Sequence, residues 1–174
     1  ARLLNALCLW RIASLGAGTP QQLVQVRQEI HDLATLKDQG RISPGTRDRA
    51  LLAALPGLLD HEKGLRAKDF PEAKRDFKSA DGTIEAALKN ENPPKDHEIR
   101  LYLRLCQMAS LREWLRAVAT SDATEEQKKL EKKEPYGRFS DVKDQLKSVV
   151  DQNPAFTTLK ELGIAMSQAA GASW

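Results

Sequence analysis

The chain has 174 residues, enough for one domain with a sizeable core, and we expect a single domain over residues 1–174. Hydrophobic residues at 41% and charged residues at 29% exclude a disordered composition, while 5% aromatics and scattered β-branched residues disfavour a sheet. The net charge of +3 is the difference between 27 basic and 24 acidic residues, so charge does not argue for a nucleic-acid partner.

The N-terminal residues 1–18 are predicted to form an apolar helix that ends at two glycines. No run of eighteen apolar residues predicts a membrane span. Because the chain begins at Ala1 without a methionine, we expect that an upstream segment has been removed. The predicted location is cytoplasmic, with a periplasmic or membrane-tethered location as the alternative if that segment was a signal.

Cys8 and Cys106 lie far apart in the sequence, each within an apolar helical pattern. We expect two buried free thiols, which fits a reducing compartment, and a disulfide between them stays open as the alternative.

Residues 19–92 are predicted to form helical hairpins. Thr19-Pro20 is typical of a helix start, since a hydroxyl cap is followed by proline at the first helical position. That helix is expected to end at Gly40. The next apolar pattern is expected to break or kink at Pro56-Gly57, because proline removes a helical hydrogen bond.

Residues 95–154 contain the most apolar pattern in the chain, a helix capped by Asp96 that we expect to be central and buried. A charged segment over 121–134 follows, predicted as a solvated helix or a partly flexible stretch that ends at Pro135-Tyr136-Gly137. Residues 155–174 are predicted to form a capping helix. Period-two alternation is missing throughout, so the sequence predicts an all-α fold of stacked antiparallel hairpins with about seven or eight helices.

The stretch from Lys68 to Ala80 has a small-large-small apolar pattern at helical spacing. An alanine in that pattern lets a neighbouring helix approach closely. A similar pattern recurs about two 34-residue units further along the chain. The residues of the two copies are Phe70, Ala73, Phe77 and Ala80, and Phe139, Val142, Leu146 and Val149.

This half-motif resembles the second helix of the tetratricopeptide repeat (TPR), a helical hairpin that stacks into solenoids and binds peptides. The resemblance implies a TPR-like α-solenoid, or a compact helical bundle if the repeats are degenerate. The first-helix half of the motif is missing, since Gly57 and Gly64 stand among its equivalent positions. The family binds partners along the first helices of its hairpins, which implies a groove lined by Leu55, Leu58, Glu62, Leu65 and Arg66.

Catalytic and metal-binding motifs are weak in this sequence. His61-Glu62 begins like a zinc-protease helix, but Leu65 stands where the second histidine is required. No metal site and no cofactor is predicted. An enzyme would need a deep pocket that brings together two or more of the residues His31, His61, His97 and Glu98.

The predicted function is a protein-protein interaction module, a scaffold, adaptor or chaperone-like protein that binds a peptide or helix of a partner in an apolar groove. One alternative is a non-repeat regulatory or secretion-component domain that docks through the helix within 1–18. The other alternative is an enzyme with a dispersed His and carboxylate site. We predict a protein or peptide partner, neither a nucleic acid nor a membrane span, and no enzymatic activity.

Overall fold

The computed structural model describes residues 45–173, without the side chains of Thr46 and Arg47, and positions 24, 25, 28, 29, 31–33, 35, 36, 39 and 40. These residues form helices and no strand, which confirms the all-α prediction. The described positions between 24 and 36 are helical, and Leu33 among them is buried in the core. The chain turns at Gly40, whose positive φ of 67° favours glycine. The predicted helix within 1–18 lies outside the described residues.

From residue 45 onward the structure has five α-helices and one short 3₁₀ turn, whereas the prediction of seven or eight helices was made for the whole chain. We number the helices in chain order. They are α1 (Thr46–Leu65), α2 (Phe70–Asn90), α3 (Glu98–Thr120), α4 (Glu125–Val150) and α5 (Thr157–Ala169), with the 3₁₀ turn at Pro154–Phe156 before α5.

Side-chain caps fix where three of these helices begin. The Asp69 carboxylate accepts a hydrogen bond from the Glu72 backbone N–H at 2.9 Å, at the turn predicted before Phe70. Thr124 forms a reciprocal capping box with Gln127 at the start of α4. Helix α3 is capped by His97, so the prediction of Asp96 as its cap is wrong by one residue.

Two predicted helix breaks are wrong, because α1 continues through Pro56 and α4 continues through Pro135. Proline inside a helix costs about 3 kcal/mol through a lost hydrogen bond and a steric clash. Pro56 lies on the exposed face of α1, while the opposite face is buried against α2 and α3. Packing on both sides of each proline therefore outweighs the local cost.

Helix α3 is the centre of the fold and packs against the other four helices. Most of its circumference is buried, including Leu103, Met108, Leu111 and Trp114, as the sequence predicts. Its N-terminal half packs with α1 and the C-terminal half of α2. Its C-terminal half packs with α4 and the start of α2.

Helices α1 and α2 approach most closely at two glycines of α1, seven residues apart and so on one face. A Cβ atom on Gly57 would lie 2.9 Å from the carbonyl oxygen of Ala80. A Cβ atom on Gly64 would lie 2.6 Å from the ring of Phe77. The two helices therefore approach closely at Ala80 and Phe77, where the glycines of α1 leave room for them.

The apolar stripe of the first predicted copy is buried at Ala73, Phe77 and Ala80, with Phe70 half-buried. The second copy is also buried, at Phe139, Val142 and Leu146. Phe139 lies in the interior of α4, so the second copy does not begin a helix of its own as Phe70 does. Most of the stripe residues of both copies meet in one core cluster around α3.

Candidate functional site

The five residues predicted to line a binding groove do not form one surface. Leu55 and Leu58 are buried in the core between α1, α2 and α3, and Glu62 is buried beside its ion-pair partner Arg66. Leu65 and Arg66 are exposed, and Leu65 lines a polar cleft at the turn between α1 and α2. The prediction is wrong for Leu55 and Leu58 because the face of α1 that carries them already packs against α2 and α3.

The structure instead places an apolar groove near the start of α1, between Leu51 and α5. The first turns of α3 form its floor, while Leu51 of α1 and the 3₁₀ turn with the first turn of α5 form its walls. Its volume is about 550 Å³, within the usual range of ligand sites. The lining residues are Leu51, Glu98, Ile99, Tyr102, Ala155, Phe156, Thr158 and Leu159.

The groove presents apolar surface to solvent. Tyr102 is 37% exposed, and Leu162 is 45% exposed and lies one helical turn beyond Thr158, which extends the apolar wall. Among the lining residues that the structure describes, Glu98 is the one charged side chain. Its carboxylate makes no ion pair with the residues that the structure describes. An apolar ligand with a positive charge at one end matches this surface.

Local sequence signals fix the position of the α5 wall. The Asn153 side chain accepts a hydrogen bond from the Ala155 backbone N–H at 3.0 Å and caps the turn that Pro154 begins. An ion pair of 2.8 Å between Lys160 and Asp151 links α5 back to the end of α4. This turn directs α5 onto α3 and α4, which leaves the space beside α1 open.

A polar network joins α2, α3 and α4 on the side of the bundle that carries Asp81 and Glu85. Arg138 donates to Asp81 at 2.9 Å and to Glu85 at 3.3 Å, and Gln107 donates to Asp81 at 2.9 Å. Arg104 also donates to Glu85. Partial burial raises the pKa of Glu85, but hydrogen bonds from Arg104 and Gln107 and the guanidinium charges outweigh burial and lower this pKa to about 2.

Two further ion pairs extend this contact between α2 and α4. Lys74 pairs with Glu131 at 2.5 Å, and Lys78 pairs with Glu134 at 2.7 Å. Of the two alternatives predicted for the charged segment, the solvated helix agrees with the structure, because residues 125–134 are an exposed or half-buried part of α4. The carboxylates of this segment hold α4 beside α2.

The three histidines do not converge. His31 is exposed, and Nδ1 of His97 accepts a hydrogen bond from the Ile99 backbone N–H at 3.2 Å. His61 lies 3.0 Å from Ser110 Oγ and packs against the ring of Phe77. Burial lowers the pKa of His61, and the opposing charge of Glu113 only partly offsets that effect.

The pair of Ser110 and His61 has the composition of a nucleophile and a base, but its contacts are structural. Ser110 Oγ also contacts the Cys106 carbonyl at 3.1 Å, and Ser110 is fully buried. The Cys106 thiol is free, and burial raises its pKa to about 12, which disfavours the reactive thiolate. Cys8 lies outside the described residues.

Of the four residues named for a catalytic pocket, Glu98 lines the apolar groove, and none of the histidines joins it there. Within the described ranges, no group of three metal-binding side chains comes together. The helices described here include none that is both long and apolar enough to cross a membrane.

The groove residues were not identified from the sequence. Leu51 and Leu159 are more than a hundred positions apart, so their juxtaposition depends on tertiary packing. Tyr102 offered the one local signal, as an aromatic side chain with a polar end on an otherwise buried helix.

Comparison with known proteins adds no relative. No family model matches the chain, and neither a curated protein nor a solved structure matches it. The resemblance to the tetratricopeptide repeat therefore stays a prediction from the half-motif at 68–80.

Proposed function

We propose that this protein is an interaction module that binds an amphipathic helix or extended peptide of a partner protein in the groove between α1 and α5. The observation that carries the proposal is the open apolar groove itself, with Tyr102 and Leu162 exposed along it. The proposed role is binding and not catalysis.

Three features support a peptide ligand. The groove is walled by two helices and floored by a third, which is the arrangement in which a partner helix buries one apolar face. Its volume of about 550 Å³ accommodates several apolar side chains. Glu98 at the end formed by the first turn of α3 favours a ligand with Lys or Arg beside its apolar face.

The cleft at the turn between α1 and α2 supports this function less well. The cleft at the α1–α2 turn is lined by five ionisable side chains, Lys68, Asp69, Glu113, Arg116 and Asp122. Glu113 there is already paired with Arg112 and Arg116. An apolar peptide face would gain less by covering such a surface than by covering the groove between α1 and α5.

The proposal predicts the result of selecting a random peptide library on the immobilised chain. Enriched peptides should have apolar residues at i, i+3 or i+4, and i+7, with a basic residue nearby. Thr158→Arg should weaken their binding by about tenfold or more, because it places a long charged side chain over the exposed groove wall.

Gln168→Arg is the matched control, since it adds the same charge to an exposed position of α5 outside the groove lining. It should leave affinity within about twofold. Equal binding by the wild type and Thr158→Arg, with both variants folded by circular dichroism, would place the binding site elsewhere and overturn the proposal.

The TPR-like interpretation and the cytoplasmic location belong to the same proposal. The antiparallel hairpin of α1 and α2, joined at Asp69, supports a repeat-like unit for that pair of helices. The free Cys106 thiol is compatible with a reducing compartment.

A further inference from the structure

A small cavity beside the buried polar network has the lining of an anion site. It lies between the start of α3 and the second half of α4, with a volume of about 90 Å³, equivalent to about three water molecules. Within the described part of the chain, three cations and two neutral polar groups line it, without a carboxylate. The lining residues are Lys95, Arg100, Leu101, Arg104, Gln145, Ser148 and Val149.

Arg104 has unused donors at this cavity. Its Nη1 atom donates to Glu85 and Gln107, while its Nε and Nη2 atoms donate to no residue in the described part of the chain. The side chain is only 5% exposed, yet these two nitrogens are not sealed from solvent. A buried guanidinium with two free donors can bind two oxygens of one anion.

Arg100 adds a positive charge that forms no ion pair with a carboxylate in the described part of the chain, although the charge of Glu85 acts on it from further away. Its guanidinium donates to neutral acceptors, the carbonyls of Pro93 at 2.6 Å and Leu88 at 3.5 Å and the Asn92 side chain at 3.3 Å. Burial and then the nearby charge of Arg104 lower the pKa of Arg100. A bound anion would relieve this repulsion between two arginines one helical turn apart.

The geometry points to a binding site for a phosphoryl group, supplied either by inorganic phosphate or by a phosphate monoester. A dianion with several acceptor oxygens matches three cations that line one small cavity. Lys95, Ser148 and Val149 also line an adjoining open cleft of about 430 Å³, which offers room for the organic part of a monoester.

Isothermal titration calorimetry of the full chain with inorganic phosphate, in sodium chloride at constant ionic strength, tests this site. We expect saturable binding that weakens by about tenfold or more in Lys95→Glu and in Ser148→Asp. Both residues are exposed at the cavity, so the substitutions introduce repulsion with little effect on folding. Lys133→Glu, an exposed position of α4 outside the cavity lining, should leave the dissociation constant within about twofold.

Titrations with glycerol phosphate and with acetate at the same ionic strength show which kind of anion the cavity binds. Tighter binding of glycerol phosphate than of phosphate supports a monoester that extends into the adjoining cleft. Equal or weaker binding of glycerol phosphate supports the free anion. Acetate that binds as well as phosphate, no saturable phosphate binding, or unchanged affinity in both cavity variants would overturn the site.

Discussion

Replacing Gly57 of α1 by alanine tests the packing between α1 and α2. The substitution increases helix propensity, but it also creates a steric clash with α2. Alanine favours a helix over glycine by about 1 kcal/mol. At Gly57, however, the new Cβ atom would lie 2.9 Å from the Ala80 carbonyl oxygen and 3.1 Å from both Ile84 and Thr83. The carbonyl belongs to the α2 backbone, so relief requires the two helices to separate.

Overpacking of this kind costs about 1–3 kcal/mol, so Gly57→Ala should lower the free energy of unfolding by up to about 2 kcal/mol in spite of its helix propensity. Gly82→Ala in α2 is the control, because its Cβ atom would meet no atom within 4 Å. Gly82→Ala should stabilise the protein by about 1 kcal/mol, and the two variants should differ by the overpacking cost, about 1–3 kcal/mol.

Urea unfolding followed by circular dichroism measures both free energies. In thermal unfolding the same difference corresponds to roughly 2–12 °C in Tm for a chain of this size. The packing account is refuted if Gly57→Ala proves as stable as Gly82→Ala, since the α1–α2 contact would then be looser than the structure places it.

Three further predictions concern single groups. The pKa of Glu85 is about 2 in the folded protein, against an ordinary value of 4.5. The ionised carboxylate therefore stabilises the fold fully above pH 4.5, and this contribution is lost as pH falls from 4.5 to 2. Acid titration of Glu85→Gln should show a smaller loss than wild type over that window, and an equal loss would contradict the network. The lowered pKa of His61 means that protonation opposes folding, so wild type should lose stability as pH falls below 6.5 and His61→Gln should lose less, as measured by urea unfolding at each pH. Asp69→Ala should cost about 1 kcal/mol in urea unfolding through the lost cap of α2, whereas an unchanged midpoint would show that the cap does not hold the turn.

The spacing of apolar residues correctly predicts which faces of two helices are buried. The stripe of Ala73, Phe77 and Ala80 is buried as its periodicity indicates, and the apolar pattern of α3 correctly predicts a central helix.

Local rules fail where tertiary packing decides the outcome. Pro56 and Pro135 read as breaks because proline destabilises an isolated helix, but both helices continue through a packed bundle. Gly57 has the sequence signature of a helix break, whereas in the bundle it serves as a contact point for α2.

The candidate site is the least predictable feature from sequence. A family resemblance assigned the groove to Leu55 and Leu58, but those leucines form the core. The observed groove joins α1, α3 and α5 across distant parts of the chain. The ion pair of Arg138 with Asp81 likewise spans 57 positions, and neither residue alone predicts its partner.

Photo-crosslinking with a selected peptide tests the central claim that the groove between α1 and α5 is the binding surface. A photoreactive phenylalanine analogue replaces Tyr102 in one variant and Tyr136 in the other; both tyrosines are exposed, and Tyr102 alone lines the groove. We predict that the peptide is captured at position 102 and not at position 136. Capture at 136, or equal yields at the two positions, would contradict the account.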